Sequence, residues 1–398
     1  VIPVEFLLFA ATLLGVSLLH RWTLQVALTG LAVITMWKLV ATGFAAGVGL
    51  AGLIAHLGHE WVVLVNLFGL LTGFALLARH FEETRIPELL PRFLADDWTG
   101  GLALLALVFV MSSFLDNIAA AMIGGSMAAS VFRGRVHIGY LAAIVAASNG
   151  GGAGSVIGDT TTTMMWIEGV GAAQVLHAYL ATGTAFLAFA IPASLQQQRH
   201  SPITRNPAGV VSVDWGRACI VGALLAAAVA TNVIVNVRYP ALADSFPFLG
   251  AAVWIALLAT APLRRPEWEL LPEAARGSIF LLALVLCASM MPVEQLPAAS
   301  WPTTLSLGFL SAVFDNIPLT KLALDEGGYD WGFLAYAVGF GGSMVWFGSS
   351  AGVALSNRFP EARSVGAWLR AGWHVPVAYV VGFLVLLWTR GWQPALPH

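Results

Sequence analysis

The stretch Gly151-Gly152-Ala153-Gly154-Ser155-Val156-Ile157-Gly158-Asp159-Thr160-Thr161-Thr162 constrains this chain more than any other. It sits in the middle of an apolar run from about Val136 to Ile167, long enough to cross a bilayer. Gly150, Gly151 and Gly152 are consecutive, and each glycine weakens a helix by about 1 kcal/mol relative to alanine. The pattern predicts a helix that unwinds over Asn149–Ser155 and restarts near Asp159. Unwound backbone at membrane depth survives only where protein buries it or a wet cavity adjoins it. A carboxylate at such a break points to a solute or ion site. The plainer alternative is a kinked span in which Asp159 caps the second half-helix.

Composition sets the class. Hydrophobic residues make up 58% of the chain and charged residues 10%, where a soluble domain carries about 25% charged. With a mean hydropathy of +0.81, the chain reads as an all-α polytopic membrane protein. A net charge of −2 without a basic stripe gives no ground for nucleic-acid binding. Cys219 and Cys287 both fall in apolar segments, so no disulfide is expected.

A span needs about 20 apolar residues. Candidates lie near 2–19, 23–45, 61–79, 137–168 (broken), 173–195, 217–237, 246–263, 277–291, 331–357 (broken) and 364–389. Segments 100–132 and 302–326 are interrupted by Asp116-Asn117 and Asp315-Asn316. They read as re-entrant hairpins, against the alternative of paired ordinary spans with buried acids. With the N-terminus outside, loop arginines such as Arg79, Arg135, Arg199, Arg264 and Arg358 share one face, while Arg238 and Arg390 lie on the other. That is the asymmetry of cytoplasmic loops, and it places the chain in a cell inner membrane. Arg79–Asp97, with Pro87 and Pro91, reads as an interfacial arm, and Pro292–Trp301 as its shorter counterpart.

The chain repeats itself. Ser112-x-x-x-Asp116-Asn117-Ile118 returns as Ser311-x-x-x-Asp315-Asn316-Ile317. Gly151-Gly152-x5-Gly158-Asp159-Thr160 returns as Gly341-Gly342-x5-Gly348-Ser349-Ser350. The arginine asymmetry makes this an inverted repeat, which puts a site at mid-membrane between the halves. The division is 1–60 for N-terminal scaffold helices, 61–195 for the first repeat, 196–263 for linker and scaffold helices, and 264–398 for the second repeat. Pro318 suits the first turn of a helix and leaves Asp315 and Asn316 at the hairpin tip.

These residues resemble the NhaD-type sodium/proton antiporters of the ion transporter superfamily. The resemblance rests on Asp116-Asn117, on Asn149 to Thr162 followed by Met165-Trp166-Ile167, on Asp315 to Leu319, and on Gly341 to Gly352. It covers most of the chain from about Leu70 onward. It implies two hairpins, two broken helices, a dimerising scaffold and an elevator movement. Ser148, Gly154-Ser155-Val156 and Lys321 depart from the family pattern.

Helix N-termini attract anions, but here Asp116, Asp159 and Asp315 occupy those ends and favour a cation. The expected cation and proton site comprises Asp116, Asn117, Asn149, Ser155, Asp159, Thr160, Asp315, Asn316, Ser343 and Ser349. Sodium ligands are expected from Ser112, Asp116, Asn117, Asn149 and Gly151, and from unwound carbonyls near Gly150–Ser155 and Gly341–Val345. Sodium requires ionised carboxylates, so sodium and protons compete. The expected partners are sodium, protons, lipid and a second copy of the chain, with no cofactor and no enzymatic activity. Lys321 either occupies the second repeat's cation position or snorkels to Asp325 and Glu326.

His56 and His59 read as outer-loop residues, His374 as a packed or proton-relaying side chain, and His177 and Glu168 as interfacial. Trp22, Trp61, Trp301 and Trp388 read as interface belts, and Gly43-x-x-x-Gly47 with Gly52 as close helix packing at a dimer interface. Two other functions compete. One is sodium- or proton-coupled uptake of citrate or another small anion, with Lys321 offsetting Asp315. The other is an intramembrane aspartyl protease, which would need Gly-x-Gly-Asp where this chain has Val156.

Overall fold

The computed structural model describes residues 3–19, 22–45, 47–86, 94–203, 212–239, 242 and 245–395. Among them the chain is helical, and its only β-pairing is an isolated bridge between Phe44 and Gly47. Helix α1 spans Val4–Leu18, α2 Thr23–Trp37 (extended by a π turn, Lys38–Thr42) and α3 Gly49–Glu83. The first helix–turn–helix is α4 (Trp98–Ser112) and α5 (Asn117–Val131), and the first broken helix is α6 (Ile138–Ala153) and α7 (Thr160–Ile167). Next come α8 (Ala172–Leu176), α9 (Ala178–His200), α10 (Trp215–Arg238), α11 (Phe248–Thr260) and α12 (Leu271–Ser289). The second helix–turn–helix is α13 (Trp301–Ser311) and α14 (Asn316–Glu326), and the second broken helix α15 (Trp331–Gly341) and α16 (Ser350–Arg358). Helices α17 (Val365–Ala371) and α18 (His374–Arg390) complete the chain.

Among the described residues, four helical stretches are long and apolar enough to cross a membrane: Thr23–Thr42, Gly49–Glu83, Ala172–His200 and Trp268–Ser289. The pair α17–α18, bent by 60°, makes a fifth if counted as one span. Helices α6 and α15 form the centre. Gly139 to Ala153 and Trp331 to Gly341 are buried on every side, which is the signature of a helix surrounded by others. Alanine pairs at Ala142-Ala143 and Ala146-Ala147 let neighbouring backbones come close, as packing between apolar helices requires. Around this pair lie α4, α5, α9, α13 and α18. Helices α1 and α2 pack on α12 through a separate cluster that includes Phe9, Ile34, Leu284 and Met291.

The first break lies further along than the glycines suggest. Helix α6 continues through Gly150-Gly151-Gly152 to Ala153, and the non-helical stretch is 154–159. These glycines serve proximity. A Cβ on Gly151 would stand 2.0 Å from the Phe109 carbonyl oxygen, and one on Gly341 would stand 2.3 Å from that of Gly308. Both repeats therefore use a glycine to seat the entering arm of the hairpin against the end of the central helix.

Two other expectations change. His56 and His59 lie within α3, which begins twelve residues before the expected span, and His56 is buried with Nε2 3.0 Å from Ser289 Oγ. Gly43 and Gly47 are not helical: with φ of +78° and +141°, they shape the turn before α3. Gly52 packs on that turn, where a Cβ would stand 2.2 Å from the Gly47 carbonyl oxygen. Pro87, Pro91 and the middle of the expected interfacial arm lie outside the described residues.

Outside the apolar helices, Asp214 accepts from the Arg217 amide to cap α10 and pairs with Arg264 at 3.0 Å. Arg264, followed by the Arg217 amide, holds this carboxyl below its ordinary range. Its small contribution to stability is present above the unfolded carboxylate pKa and disappears as pH falls through the folded one.

Gly151→Ala should destabilise the protein by about 2 kcal/mol or more, because the added methyl meets backbone that cannot rotate away. Gly183 lies within α9, and a Cβ added there would meet no heavy atom within 4 Å, so Gly183→Ala should be neutral or stabilising. Thermal unfolding of the two variants in the same detergent separates these outcomes.

Candidate functional site

The two hairpin tips share one construction. Asp116 and Asp315 adopt nearly the same backbone angles, φ −52° and ψ 140° against φ −56° and ψ 139°. Each carboxylate caps its returning helix, Asp116 accepting from the Ile118 amide at 3.2 Å and Asp315 from the Ile317 amide at 3.0 Å. A serine on each entering arm fixes the hairpin to the central helix. Ser112 Oγ donates to the Ser148 carbonyl at 2.5 Å, and Ser311 Oγ to that of Val338 at 2.7 Å. The sequence repeat is thus also a repeat of contacts.

The second half-helices start from matched backbone but different side chains. Asp159 (φ −143°, ψ 144°) precedes α7, and Ser349 (φ −143°, ψ 154°) precedes α16. Ser349 Oγ accepts from the Gly352 amide at 3.2 Å, as an N-cap does. Asp159 forms no cap bond of that geometry and is engaged instead by side chains. Its Oδ2 takes the Thr161 hydroxyl at 2.8 Å, and its Oδ1 takes Asn117 Nδ2 at 3.2 Å. The side chain is 3% exposed and lies against Gly339, where a Cβ would come within 3.3 Å of Oδ2.

Asn149 links the halves. Its Oδ1 accepts from Asn117 Nδ2 at 3.1 Å, while its Nδ2 donates to Ser343 Oγ at 3.0 Å and Ser349 Oγ at 3.1 Å. Asn149 and Ser343 are fully buried and Ser349 nearly so. The result is a continuous polar chain from the first hairpin tip to the second break.

Other expected ligands are engaged in holding the break together. Ser112 donates to Ser148, and the Gly151 carbonyl accepts from Ser113 Oγ and Tyr179 OH, both at 3.2 Å. Ser155 Oγ donates to the Ser113 carbonyl at 2.7 Å. The Ser155 and Val156 carbonyls accept Thr162 Oγ1 at 2.6 Å and Thr163 Oγ1 at 3.0 Å. Those threonines give a buried irregular segment the partners that its backbone requires. Gly150 and Gly341 remain helical, so of the carbonyls expected to be unwound only those from Gly154 and from Gly342 onward leave the helix.

A cavity of about 360 Å³ opens onto this chemistry. Asp116, Asn117, Asp159, Thr160 and Asn316 are on its wall, with Ser350 from the second break. Asp315 caps α14 beside them without lining it. Apolar residues of α3, from Leu67 to Ala78, form the opposite wall, which ends at Glu82. This is the arrangement of a small-solute site, an apolar surround with a few convergent polar groups.

Lys321 reaches Asp325, as the second alternative expected, but not Glu326, and it stays buried instead of running out to the surface. Its ammonium is 3% exposed and pairs with Asp325 at 2.9 Å, Glu168 at 3.1 Å and Glu60 at 3.2 Å. It neither lines the cavity nor reaches water. Glu60 is the partner that sequence reasoning missed, although an acid in an otherwise apolar helix and a lysine in an apolar hairpin are reciprocal signals. Glu168 belongs to this cluster as well. His374 is buried at the start of α18, with both ring nitrogens lacking a hydrogen-bond partner among the described residues. Tyr179, whose hydroxyl closes on Gly151, was also missed.

No protein-family model matches the chain, and a search of curated proteins finds no match either.

Lys321→Met should destabilise by about 3 kcal/mol, since it leaves three carboxylates facing one another without their cation. Lys321→Arg should keep most of the stability. A melting-temperature loss no larger than that of an exposed-lysine substitution would show that the cluster contributes nothing.

Proposed function

We propose that this chain is a secondary active transporter that exchanges sodium, or a similar cation, for protons. The observation that carries the reading is Asp159. Where its structural counterpart, Ser349, caps the half-helix with a neutral hydroxyl, Asp159 places a buried carboxylate on the cavity wall. Serine caps a buried helix as well as aspartate does and without the cost of a buried charge. An intramembrane acid that faces a cavity serves ion or proton movement by default.

Asp116 and Asp159 provide the negative charge, and Asn117, Thr160 and Asn316 provide neutral oxygens on the same wall. A sodium ion held there needs ionised carboxylates, and a proton neutralises them. The two ligands therefore exclude each other, and exchange follows if the carrier moves only when loaded. The same carboxylates repel anionic substrates, which disfavours the coupled-anion alternative.

The proposal extends to the finer architecture. The helix–turn–helix pairs are re-entrant hairpins of an inverted repeat, and the site travels as an elevator against a scaffold that dimerises in an inner membrane, with the N-terminus outside. The resemblance to NhaD-type antiporters and the shared contact pattern of the two halves support this reading. Alternating access also needs one closed side. The cavity wall begins at Leu67, and Glu60 lies seven residues earlier on α3, about 10 Å along the helix axis. The Lys321 cluster thus stands beyond the end of the cavity opposite Glu82, where it ties α3 to α14. Opening that side requires the ammonium to leave Glu60.

Asp159→Asn tests the core of the proposal. The amide retains the shape and can still meet Thr161 and Asn117, so the protein should fold and melt as the parent does. Sodium-driven proton flux in proteoliposomes should fall to background. Normal flux at any sodium concentration would remove Asp159 from the mechanism.

A further inference from the structure

A second concave site lies far from the aspartates. It is an open groove of about 1060 Å³ between the start of α6, the end of α9 and α17. Its rim carries Arg135, Arg199 and Arg370, all exposed. None of the three guanidinium groups makes a hydrogen bond or ion pair with another described residue. Among the described residues Glu361 is the single acid on the groove, so the arginines leave an excess of positive charge there. His137 and His200 face each other across it with ring centroids 5.3 Å apart. The floor is apolar, formed by Val136, Ile138, Ala367 and Ala371.

Each feature restricts the ligand. Unpaired arginines suit an anion with several oxygens, and phosphate accepts the guanidinium fork in two parallel bonds. An apolar floor suits a ligand with hydrocarbon attached. Leu195, Leu369 and Trp373, on the flanking helices, are exposed large apolar side chains, so the groove adjoins a surface suited to acyl chains. Basic pockets between apolar helices take phospholipid headgroups for these reasons.

We propose that this groove binds the headgroup of an anionic phospholipid of the phosphatidylglycerol type. Arg135, Arg199 and Arg370 hold the phosphodiester, and the apolar floor takes the start of the hydrocarbon. The lipid bridges α6, α9 and α17 and so steadies the helix that carries Asn149 at its other end. The inference does not depend on what the central site transports.

The test uses the whole purified protein in nanodiscs of phosphatidylcholine, with or without added phosphatidylglycerol. Native mass spectrometry counts retained lipid, and thermal unfolding reads its effect. Phosphatidylglycerol should be retained and should raise the melting temperature, while phosphatidylcholine should do neither. Affinity should fall about fivefold for each arginine replaced by alanine, and about a hundredfold for all three. Because these side chains are exposed and unpaired, the triple variant should fold. Three exposed arginines elsewhere, Arg265, Arg276 and Arg358, provide the control, and their triple alanine variant should retain the lipid. Equal loss from both triple variants would reduce the effect to general surface charge and overturn the site. An equal melting shift from inorganic phosphate alone would assign the groove to a free anion instead of a lipid. Retention of phosphatidylcholine as strong as that of phosphatidylglycerol would overturn the role of the arginines.

Discussion

The side-chain amide of Asn149 is the contact on which the central site depends. A buried amide must place two donors and an acceptor, and an unmatched one costs about 1–3 kcal/mol. Here the acceptor takes Asn117 and the donors take Ser343 and Ser349, so one side chain fixes the first hairpin tip against the second break. It also fixes which way Asn117 faces. With one Nδ2 proton donated to Asn149 Oδ1, Asn117 directs the second at Asp159 Oδ1. The carboxylate is thereby held on the cavity wall by a neutral donor, which positions it without cancelling its charge.

The surrounding scaffold follows from the cost of irregular backbone in an apolar interior. At the first break, a run of hydroxyls meets that cost. Thr162 and Thr163 reach back to the carbonyls of Ser155 and Val156, and each also bonds the Asp159 carbonyl at 2.9 Å. Ser113 and Ser155 bond the hairpin to the break in opposite directions. These bonds remove most backbone oxygens from contention as cation ligands. What remains facing the cavity is a short set of side chains.

Much of this is legible in the chain. The duplicated Ser-x-x-x-Asp-Asn motif locates both turns, because an Asx cap followed by an apolar run is a local signal with a local cause. The break is harder to place, because intrinsic propensity speaks where packing decides. Gly150 to Gly152 look like helix breakers, yet the close approach of Phe109 explains Gly151 without any unwinding. His56 reads as a loop residue for a similar reason: a polar pair in sequence gives no hint that Ser289, 233 residues away, will take the imidazole. Lys321 stands out as anomalous and its local partner Asp325 is legible, but Glu60 and Glu168 come from two other parts of the chain. Long-range pairing of that kind is not encoded in periodicity.

The two halves repeat in backbone and differ in charge, and that difference has a mechanical meaning. Where the first half has Asn149, the second has Gly339, and the missing side chain is the space against which Asp159 rests. Where the first half has Asp159, the second has Ser349, which turns back to cap its own helix. The second repeat has therefore given up its ionisable group at the break and supplies room and hydroxyls to the first. Its remaining acid, Asp315, stays a cap, and its lysine is matched to carboxylates beyond the end of the cavity. A symmetric design would place two carboxylate breaks back to back, with their mutual repulsion unrelieved in a medium where charges interact strongly. Keeping one break charged and the other neutral spares a centre that already holds Asp116 and Asp159 a further carboxylate.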